Sequence, residues 1–272
     1  MKGIMIGVLV LALVYVSMAA LLFVMQRHVI FPRHLVPHDA HEYSVDGFDR
    51  IQLLTGDGVV LDAYWRPPAK DAPVIVAFHG NADAPFTHAN RFSGEKWARY
   101  GVLAIAFRGY PGSGGEPGEA GLIEDGEAAV AHVADMAPGS PLVLYGHSLG
   151  AAVAVAMAER HEAMALVLEA PFESMLAMAR RTAPWAPAFL LKDTFRSDLR
   201  IAGSRACRTL VLHGNRDTVI PVAFGRALAS AAGADFVEVE GAGHNDIVGA
   251  ADERILALLE GGNACSGHAP KD

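Results

Sequence analysis

Cysteine is nearly absent from this chain of 272 residues, which contains only Cys207 and Cys265. Two cysteines exclude a disulfide framework and a structural zinc site built on cysteine. Basic residues are also scarce: 22 Lys and Arg stand against 30 Asp and Glu, a formal net charge of −8. Such a chain repels phosphate backbones, which argues against a nucleic-acid partner. The hydrophobic content of 52% is too high for a disordered protein and is sufficient for one large folded domain.

An uninterrupted apolar run occupies the amino-terminal part of the chain. Residues 3–25 carry no charged side chain, and a membrane-spanning helix needs about 20 residues. The small residues at 17–19 resemble a signal-peptide cleavage site, but the apolar run continues beyond them. This continuation favours an uncleaved anchor over a removed signal. We therefore expect a single amino-terminal transmembrane helix within residues 1–26, and a membrane localisation.

The residues that flank this anchor do not fix its orientation. Lys2 lies on one side, and Arg27 and Arg33 lie on the other, so the positive-inside rule leaves undetermined the side of the membrane on which the rest of the chain lies. The proline and β-branched content of residues 26–32 predicts an extended juxtamembrane stalk, which we place at 27–50. Its four histidines lack a carboxylate or cysteine at a regular ligand spacing, which favours a solvated loop over a metal site.

Residues 51–261 alternate short apolar runs with Ala-rich stretches, which predicts one α/β domain. A hairpin is predicted by two strands around Gly56-Asp57-Gly58. The strands are predicted at 51–55, 59–65, 74–78, 102–107, 142–145, 166–168, 210–212 and 236–239, and the helices at about 119–136, 149–160, 222–232 and 245–260. Continuous apolar strands between helices indicate a mostly parallel central sheet with helices on both faces, and the hairpin should add antiparallel strands at one edge.

Two segments fall outside this alternation. The stretch between Phe172 and Arg208 is too long for an ordinary connection, and it contains prolines, methionines and aromatic residues. We expect a small lid insertion near 173–207. Its apolar residues fit an acyl pocket and simple packing on the sheet equally well. Residues 262–272 are polar and are expected to form a flexible tail.

Residues 146–150 read Gly-His-Ser-Leu-Gly, a G-x-S-x-G sequence. By itself this motif is weak, because a glycine-rich chain produces it by chance. Its context is more specific, since an apolar strand precedes it and an Ala-rich helix follows it, as the strand–turn–helix of a nucleophile elbow requires. We therefore predict that Ser148 is a nucleophile at the carboxyl end of a central strand.

A serine nucleophile needs a base that is oriented by an acid. Asp217 and His244 follow two later strands, in the order serine, acid, histidine. The carboxyl ends of parallel strands meet at one edge of a sheet, so we expect these side chains to converge on Ser148. Glu169 ends another strand and is an alternative acid. We favour Asp217 because it lies in a His-Gly-x-x-Asp context, and we expect Asp246 to cap the last helix.

An oxyanion hole requires backbone N–H groups that point at the tetrahedral oxygen. Leu149 follows the predicted nucleophile, and Asn81 lies in the His79-Gly80-Asn81 loop after the strand at 74–78. We assign the two N–H donors to Leu149 and Asn81. The His79 side chain is expected to hold this loop in place, because one histidine base is sufficient.

These segments together resemble the α/β-hydrolase superfamily. The resemblance is carried by the residues at 79–81, 108–115, 146–150, 169–172, 213–217 and 243–246. More narrowly, the chain is similar to membrane-anchored serine hydrolases related to the serine aminopeptidase-like hydrolases and the protein depalmitoylases. The resemblance implies an α/β-hydrolase fold. It also implies that Ser148, Asp217 and His244 are nucleophile, acid and base, and that Asn81 supplies an oxyanion N–H.

The expected reaction is cleavage of a carboxylic ester, a thioester or an amide through an acyl-enzyme on Ser148. It requires no metal ion or organic cofactor, and the expected partners are a small-molecule or lipid-like acyl substrate and the membrane. Two alternatives remain open. Glu169 and Glu173 could recognise a substrate amine, as in an aminopeptidase, or the chain could be a membrane-tethered binding or scaffold protein that keeps the fold without catalysis.

Overall fold

A single sheet of eight strands organises the computed structural model, which describes residues 1–261. Its order is β1-β2-β4-β3-β5-β6-β7-β8. The pairs β1–β2 and β2–β4 at one edge are antiparallel, and the other pairs are parallel. The strands are β1 Asp49–Leu54, β2 Val60–Arg66, β3 Val74–Phe78, β4 Gly101–Ile105, β5 Leu142–His147, β6 Ala165–Glu169, β7 Thr209–Gly214 and β8 Asp235–Val239. The predicted mostly parallel sheet with an antiparallel edge is confirmed. The tail predicted at 262–272 lies outside the described residues.

Helices cover both faces of this sheet, as predicted. They are α1 Lys2–Ile30, α2 Pro85–Arg91, α3 Glu119–Met136, α4 Leu149–Arg160, α5 Met175–Thr182, α6 Ser197–Arg200, α7 Val222–Ala232 and α8 Asp252–Glu260. Strand β3 shows how the two layers arise, because its side chains alternate between two separate cores. Val76 and Phe78 join one apolar cluster, whereas Ile75 and Ala77 join the other. Burial on both faces explains the continuous apolar strands of the sequence.

The amino-terminal helix α1 is longer than the sequence indicates. Among residues 1–261 it is the one helix long and apolar enough to cross a membrane. It continues to Ile30, so the extended conformation predicted from residue 26 onward is wrong for residues 26–30. Gln26 and Ile30 are 5% and 8% exposed because they pack on the domain. This packing and the propagation of an existing helix outweigh the strand propensity of the β-branched residues, and Pro32 then follows the end of the helix.

The last helix is shorter than predicted. We expect a helix over 245–260, but α8 begins at Asp252. Gly249 adopts a φ of +84°, a left-handed conformation that interrupts a helix. The prediction that Asp246 caps this helix is also wrong, because its carboxylate accepts a hydrogen bond from the Gly243 N–H at 3.1 Å.

The region that follows β6 lies over the carboxyl edge of the sheet. It contains α5 and α6, and Asp193 between them connects it to two other helices. The Asp193 carboxylate accepts a hydrogen bond from Arg27 of α1 at 2.8 Å and one from the Glu119 N–H at the start of α3, also at 2.8 Å. The region is therefore held against α1 and the rim of the sheet.

Candidate functional site

The turn between β5 and α4 holds Ser148 in a strained backbone conformation. Its φ of 52° and ψ of −114° lie outside the regions that a serine normally adopts. The flanking glycines are required by close approach of the backbone: a Cβ on Gly146 would lie 2.3 Å from the carbonyl oxygen of Gly150, and a Cβ on Gly150 would lie 2.0 Å from that of Phe78. The strained turn places the Ser148 hydroxyl at the carboxyl end of a central strand.

The three residues predicted to act together are in hydrogen-bond contact. Nε2 of His244 lies 3.0 Å from Oγ of Ser148, and its Nδ1 lies 2.7 Å from Oδ2 of Asp217. Asp217 follows β7, and His244 follows β8, so three strand ends meet at one rim. When Nδ1 carries a proton and donates it in a hydrogen bond to Asp217, Nε2 is free to accept the serine proton. The arrangement can therefore transfer a proton from Ser148 to His244.

The Asp217 carboxylate is held on both oxygens. Its Oδ1 accepts the N–H groups of Val219 and Ile220, both at 2.8 Å. Burial alone would raise the pKa of this carboxyl, but the hydrogen bonds from His213, His244 and the backbone hold the pKa well below its ordinary value. The group is therefore an anion that can orient the imidazole and stabilise its protonated form.

The alternative acid, Glu169, has other partners. Its carboxylate is fully buried and forms a two-pronged ion pair with Arg91, at 2.8 and 3.0 Å. The Tyr145 hydroxyl donates a third hydrogen bond to it at 2.6 Å. These contacts make Glu169 a structural link between β5, β6 and α2. The geometry therefore agrees with Asp217 as the partner of His244.

The two backbone groups assigned to the oxyanion hole flank the serine. Leu149 starts α4, and Asn81 lies in the loop after β3, where a Cβ on the neighbouring Gly80 would lie 3.7 Å from that of Ser148. Within residues 1–261, neither the Leu149 N–H nor the Asn81 N–H donates to another protein group. Both are thus available to an oxyanion, and the amino terminus of α4 adds a favourable dipole.

The loop that carries Asn81 is held in place by hydrogen bonds of His79 and Tyr110. Nδ1 of His79 donates to the Gly80 carbonyl oxygen at 2.6 Å, and its Nε2 accepts the Phe107 N–H at 3.2 Å. Burial lowers the pKa of His79 to about 4, so the ring is neutral at physiological pH. The Tyr110 hydroxyl also donates to the Asn81 carbonyl oxygen at 2.6 Å. His79 thus holds the loop in place, as we expected from the sequence.

Two further histidines support the site, and the sequence analysis assigned a role to neither. Nε2 of His147 donates to the His244 carbonyl oxygen at 3.1 Å, and Nε2 of His213 lies 3.2 Å from Oδ2 of Asp217. Both positions lie inside the motifs that identified the site. A histidine next to a nucleophile or four residues before an acid could have been noted, but only the structure shows what it contacts.

A cavity of about 640 Å³ extends over Ser148 and His244. One side of it is formed by the carboxyl-terminal half of α1 and another by α5. The apolar lining from these two helices includes Ala19, Leu22, Phe23, Met175, Leu176 and Met178. The α1 residues recur at the spacing of one helix face. A mostly apolar cavity of this kind is suited to a ligand with a hydrocarbon part.

Other nucleophiles and metal ligands are not apparent in the part of the chain that the structure describes. The one cysteine within residues 1–261, Cys207, is disulfide-bonded. In the same range, no three His, Cys, Asp or Glu side chains are grouped to hold a metal ion. The Ser148 hydroxyl, by contrast, lies at the cavity within hydrogen-bond distance of His244.

Comparison with known proteins places this architecture in context. The model of the serine aminopeptidase S33 family matches residues 69–197, which include Ser148 and both oxyanion positions. An uncharacterised protein of Mycobacterium tuberculosis is 31% identical over 246 residues, covering 88% of this chain and 87% of that protein. A lysophosphatidylserine lipase of Danio rerio, ABHD12, is 29% identical over 189 residues, covering 61% of this chain and 50% of that protein.

A solved structure shares the fold. The esterase Pf2001 of Pyrococcus furiosus superimposes with a TM-score of 0.65 at 20% identity, covering 84% of this chain and 96% of that one. At this identity the likeness concerns the fold alone. It includes the sheet whose strand ends position Ser148, Asp217 and His244.

Proposed function

The chain belongs to the α/β-hydrolase superfamily, and we propose that it is a membrane-anchored serine hydrolase that cleaves carboxylic esters or thioesters through an acyl-enzyme on Ser148. The observation that carries the proposal is the continuous contact from Ser148 through His244 to Asp217, with distances of 3.0 and 2.7 Å. This geometry supplies a nucleophile, a base and an orienting anion in one place.

In the acylation half, Nε2 of His244 takes the proton of the Ser148 hydroxyl as Oγ attacks the substrate carbonyl carbon. The carbonyl oxygen becomes an oxyanion that accepts the N–H groups of Leu149 and Asn81. The protonated His244 is stabilised by the Asp217 carboxylate and then donates its proton to the leaving alcohol or thiol. The carbonyl–leaving-group bond breaks, and the acyl group remains on Ser148.

In the deacylation half, a water molecule takes the place of the leaving group. His244 accepts a proton from this water as its oxygen attacks the acyl-enzyme, and the same two N–H groups hold the second oxyanion. Collapse of that intermediate returns the proton from His244 to Ser148 and releases the carboxylic acid. The cycle is complete without any other reactant.

The cavity supports an acyl substrate with a hydrocarbon chain. Most of the wall residues from α1 and α5 are apolar, and no charged side chain is needed to bind such a chain. The relationship to the Danio rerio protein, whose name describes a lysophosphatidylserine lipase, points to the same substrate class. Because α1 forms part of the wall, we further propose that it is retained as the membrane anchor and is not removed.

An aminopeptidase is the second candidate function, because the matching family model is that of serine aminopeptidases. Such an enzyme needs an anion for the amino group of its substrate. Glu169 is fully buried and committed to Arg91 and Tyr145, and Glu173 is not among the residues that line the cavity, so neither of the two glutamates named above is placed for this purpose. This contact pattern favours an acyl ester over an aminoacyl substrate.

The test combines covalent labelling with a substrate panel. We expect a fluorophosphonate probe to label the wild type and Ser93→Ala, a control whose hydroxyl contacts only the Asn90 carbonyl oxygen in an exposed turn. Ser148→Ala should lose both labelling and turnover, the latter by about 10⁴-fold or more. Acyl esters and thioesters of increasing chain length should be cleaved faster than aminoacyl anilides. Full labelling and turnover in Ser148→Ala would exclude the proposal, and a preference for anilides would favour the second candidate.

A further inference from the structure

The helix α1 has two parts that differ in their surroundings. From Lys2 to Val14 its side chains are exposed. From Tyr15 onward one face lies against the lid region. The Tyr15 hydroxyl donates to the Trp185 carbonyl oxygen at 3.2 Å, and the two rings meet edge to face at 6.4 Å.

The exposed part of α1, residues 2–14, is too short to cross a bilayer alone. Residues 2–14 rise about 20 Å at about 1.5 Å each, whereas the hydrocarbon core is about 30 Å thick. A spanning α1 must therefore place about seven more residues, beyond Tyr15, inside the hydrocarbon. A residue that contacts α1 at the level of Tyr15 then lies below the surface of the membrane. Trp185 makes such a contact.

The lid segment that includes Trp185 has the chemistry of a membrane-inserted element. The ten residues 182–191, here the 182–191 segment, contain no charged side chain. Trp185 and Phe189 within it are 42% and 86% exposed. Cationic residues stand at its two ends: Arg181 precedes it, and Lys192 follows it with Nζ 4.1 Å from the Phe23 ring of α1. Exposed aromatic and apolar side chains with flanking cations suit the boundary between the hydrocarbon and anionic lipid headgroups.

Backbone N–H and C=O groups in hydrocarbon must form hydrogen bonds within the protein, and much of the 182–191 segment meets that condition. Pro184 and Pro187 have no N–H group to satisfy. The N–H groups of residues 186, 190 and 191 donate to carbonyl oxygens of the same segment. Two carbonyl oxygens receive polar side chains of α1: Tyr15 donates to that of Trp185, and Gln26 donates to that of Leu190 at 3.1 Å.

We propose that the 182–191 segment is inserted into the hydrocarbon of the membrane leaflet that receives the carboxyl-terminal half of α1. The lid is then part of the membrane attachment, and the part of the cavity wall formed by Ala19 lies at the depth of lipid acyl chains. This inference rests on the retention of α1 as a membrane span, which is part of the proposed function. It does not depend on the chemistry at Ser148.

Tryptophan fluorescence tests the proposal directly, because Trp65 and Trp97 are buried in the core at 6% and 0% exposure. The full chain is placed in lipid nanodiscs, and the spectrum of Trp185→Phe is subtracted from that of the wild type to isolate Trp185. We expect blue-shifted emission that is quenched by lipids brominated on the acyl chain and resists aqueous iodide. Emission that iodide quenches and brominated lipids do not would place the segment in water and overturn the proposal.

Cysteine labelling gives a second measurement on the same nanodiscs. Phe189→Cys is compared with Leu54→Cys, since Leu54 is 71% exposed and lies on the edge strand β1. A membrane-impermeant maleimide, corrected for labelling of the wild type, should react at least tenfold more slowly with the first variant. Equal rates would overturn the proposal. A chain that fails to enter nanodiscs yet still hydrolyses esters would refute this inference and the anchoring, while the serine chemistry of the proposed function would stand.

Discussion

Nε2 of His213 lies 3.2 Å from the Asp217 oxygen that also faces Nδ1 of His244. The His213 ring is fully buried, and the same nitrogen lies 3.0 Å from the Ile220 carbonyl oxygen. A nitrogen that faces two acceptors carries a proton, so Nε2 of His213 is the donor toward Asp217. The Asp217 carboxylate thus has a second histidine contact besides the imidazole that it orients.

We predict that His213→Ala lowers kcat by between about tenfold and 100-fold with little change in KM, because a loosened Asp217 misplaces His244. His213→Gln can return a donor near the position of Nε2 and should recover part of the loss. Steady-state kinetics and thermal unfolding of both variants separate this positioning from general destabilisation. His161→Ala, which removes a partly exposed ring paired with Glu127, is the matched control. Equal kcat in His213→Ala and the control would contradict the prediction.

Asp217→Asn should reduce kcat by about 10⁴-fold while the fold is retained, because the amide can force the wrong tautomer on His244. Glu169→Gln should instead lower the stability of the protein and leave its activity nearly unchanged. It removes the charge that faces Arg91 at 2.8 Å, and breaking a buried ion pair costs about 3–5 kcal/mol of unfolding free energy. Activity per folded molecule should remain close to that of the wild type.

Denaturant titrations and kinetics on these two variants make the comparison. Loss of turnover only in Glu169→Gln, with full activity in Asp217→Asn, would transfer the role of the acid to Glu169. The contacts of the two carboxylates make them a matched pair, since both are fully buried and only one faces His244.

Gly150→Ala should destabilise the protein by at least about 2 kcal/mol, because the added Cβ would lie 2.0 Å from the Phe78 carbonyl oxygen. Relief of that overlap requires the first turn of α4 to move away from β3, which also separates Leu149 from Asn81. Gly203→Ala is the control, since its Cβ would meet only the Glu159 side chain at 3.6 Å. Equal unfolding free energies for the two variants would show that the elbow tolerates a side chain.

Much of the fold was predictable because it depends on local patterns. Strand β3 and helices α3, α4 and α7 have the bounds that hydrophobic runs and Ala-rich stretches predict. Fully buried strands read as continuous apolar runs, and this property identified the parallel sheet. The contact among Ser148, Asp217 and His244 was predictable for a related reason, since each of the three follows a strand of this sheet.

The remaining features depend on contacts that a sequence pattern does not encode. Helix α2 was missed because its seven residues include polar side chains and show no apolar period, although Arg91 within it pairs with Glu169 and Asp252. The helical conformation of residues 26–30 depends on packing against the lid. His147 and His213 act through neighbours that are distant in the chain, so their spacing alone indicates no partner.

Acid should destabilise the protein through its buried histidines. Burial lowers the pKa of His147 to about 3 and that of His79 to about 4, from an ordinary 6.5 in the unfolded chain. Between these values the unfolded state binds more protons than the folded state, so the free energy of unfolding rises with pH. It should fall on acidification below about pH 6.5, by up to about 1.4 kcal/mol per pH unit for each ring. The lowered pKa of Asp217 acts in the same direction at pH values below its ordinary range.

Replacement of one ring isolates this effect. His147→Gln keeps a donor for the His244 carbonyl oxygen but does not titrate, so the slope of unfolding free energy against pH should be shallower between about pH 4.5 and 6.5. His38→Gln, which removes an exposed histidine of the juxtamembrane region, should leave that slope unchanged. Denaturant unfolding in detergent at several pH values measures both. Identical slopes in wild type and His147→Gln would mean that His147 does not resist protonation in the folded state. That result would contradict the interpretation of His147 as a neutral, buried ring that supports His244.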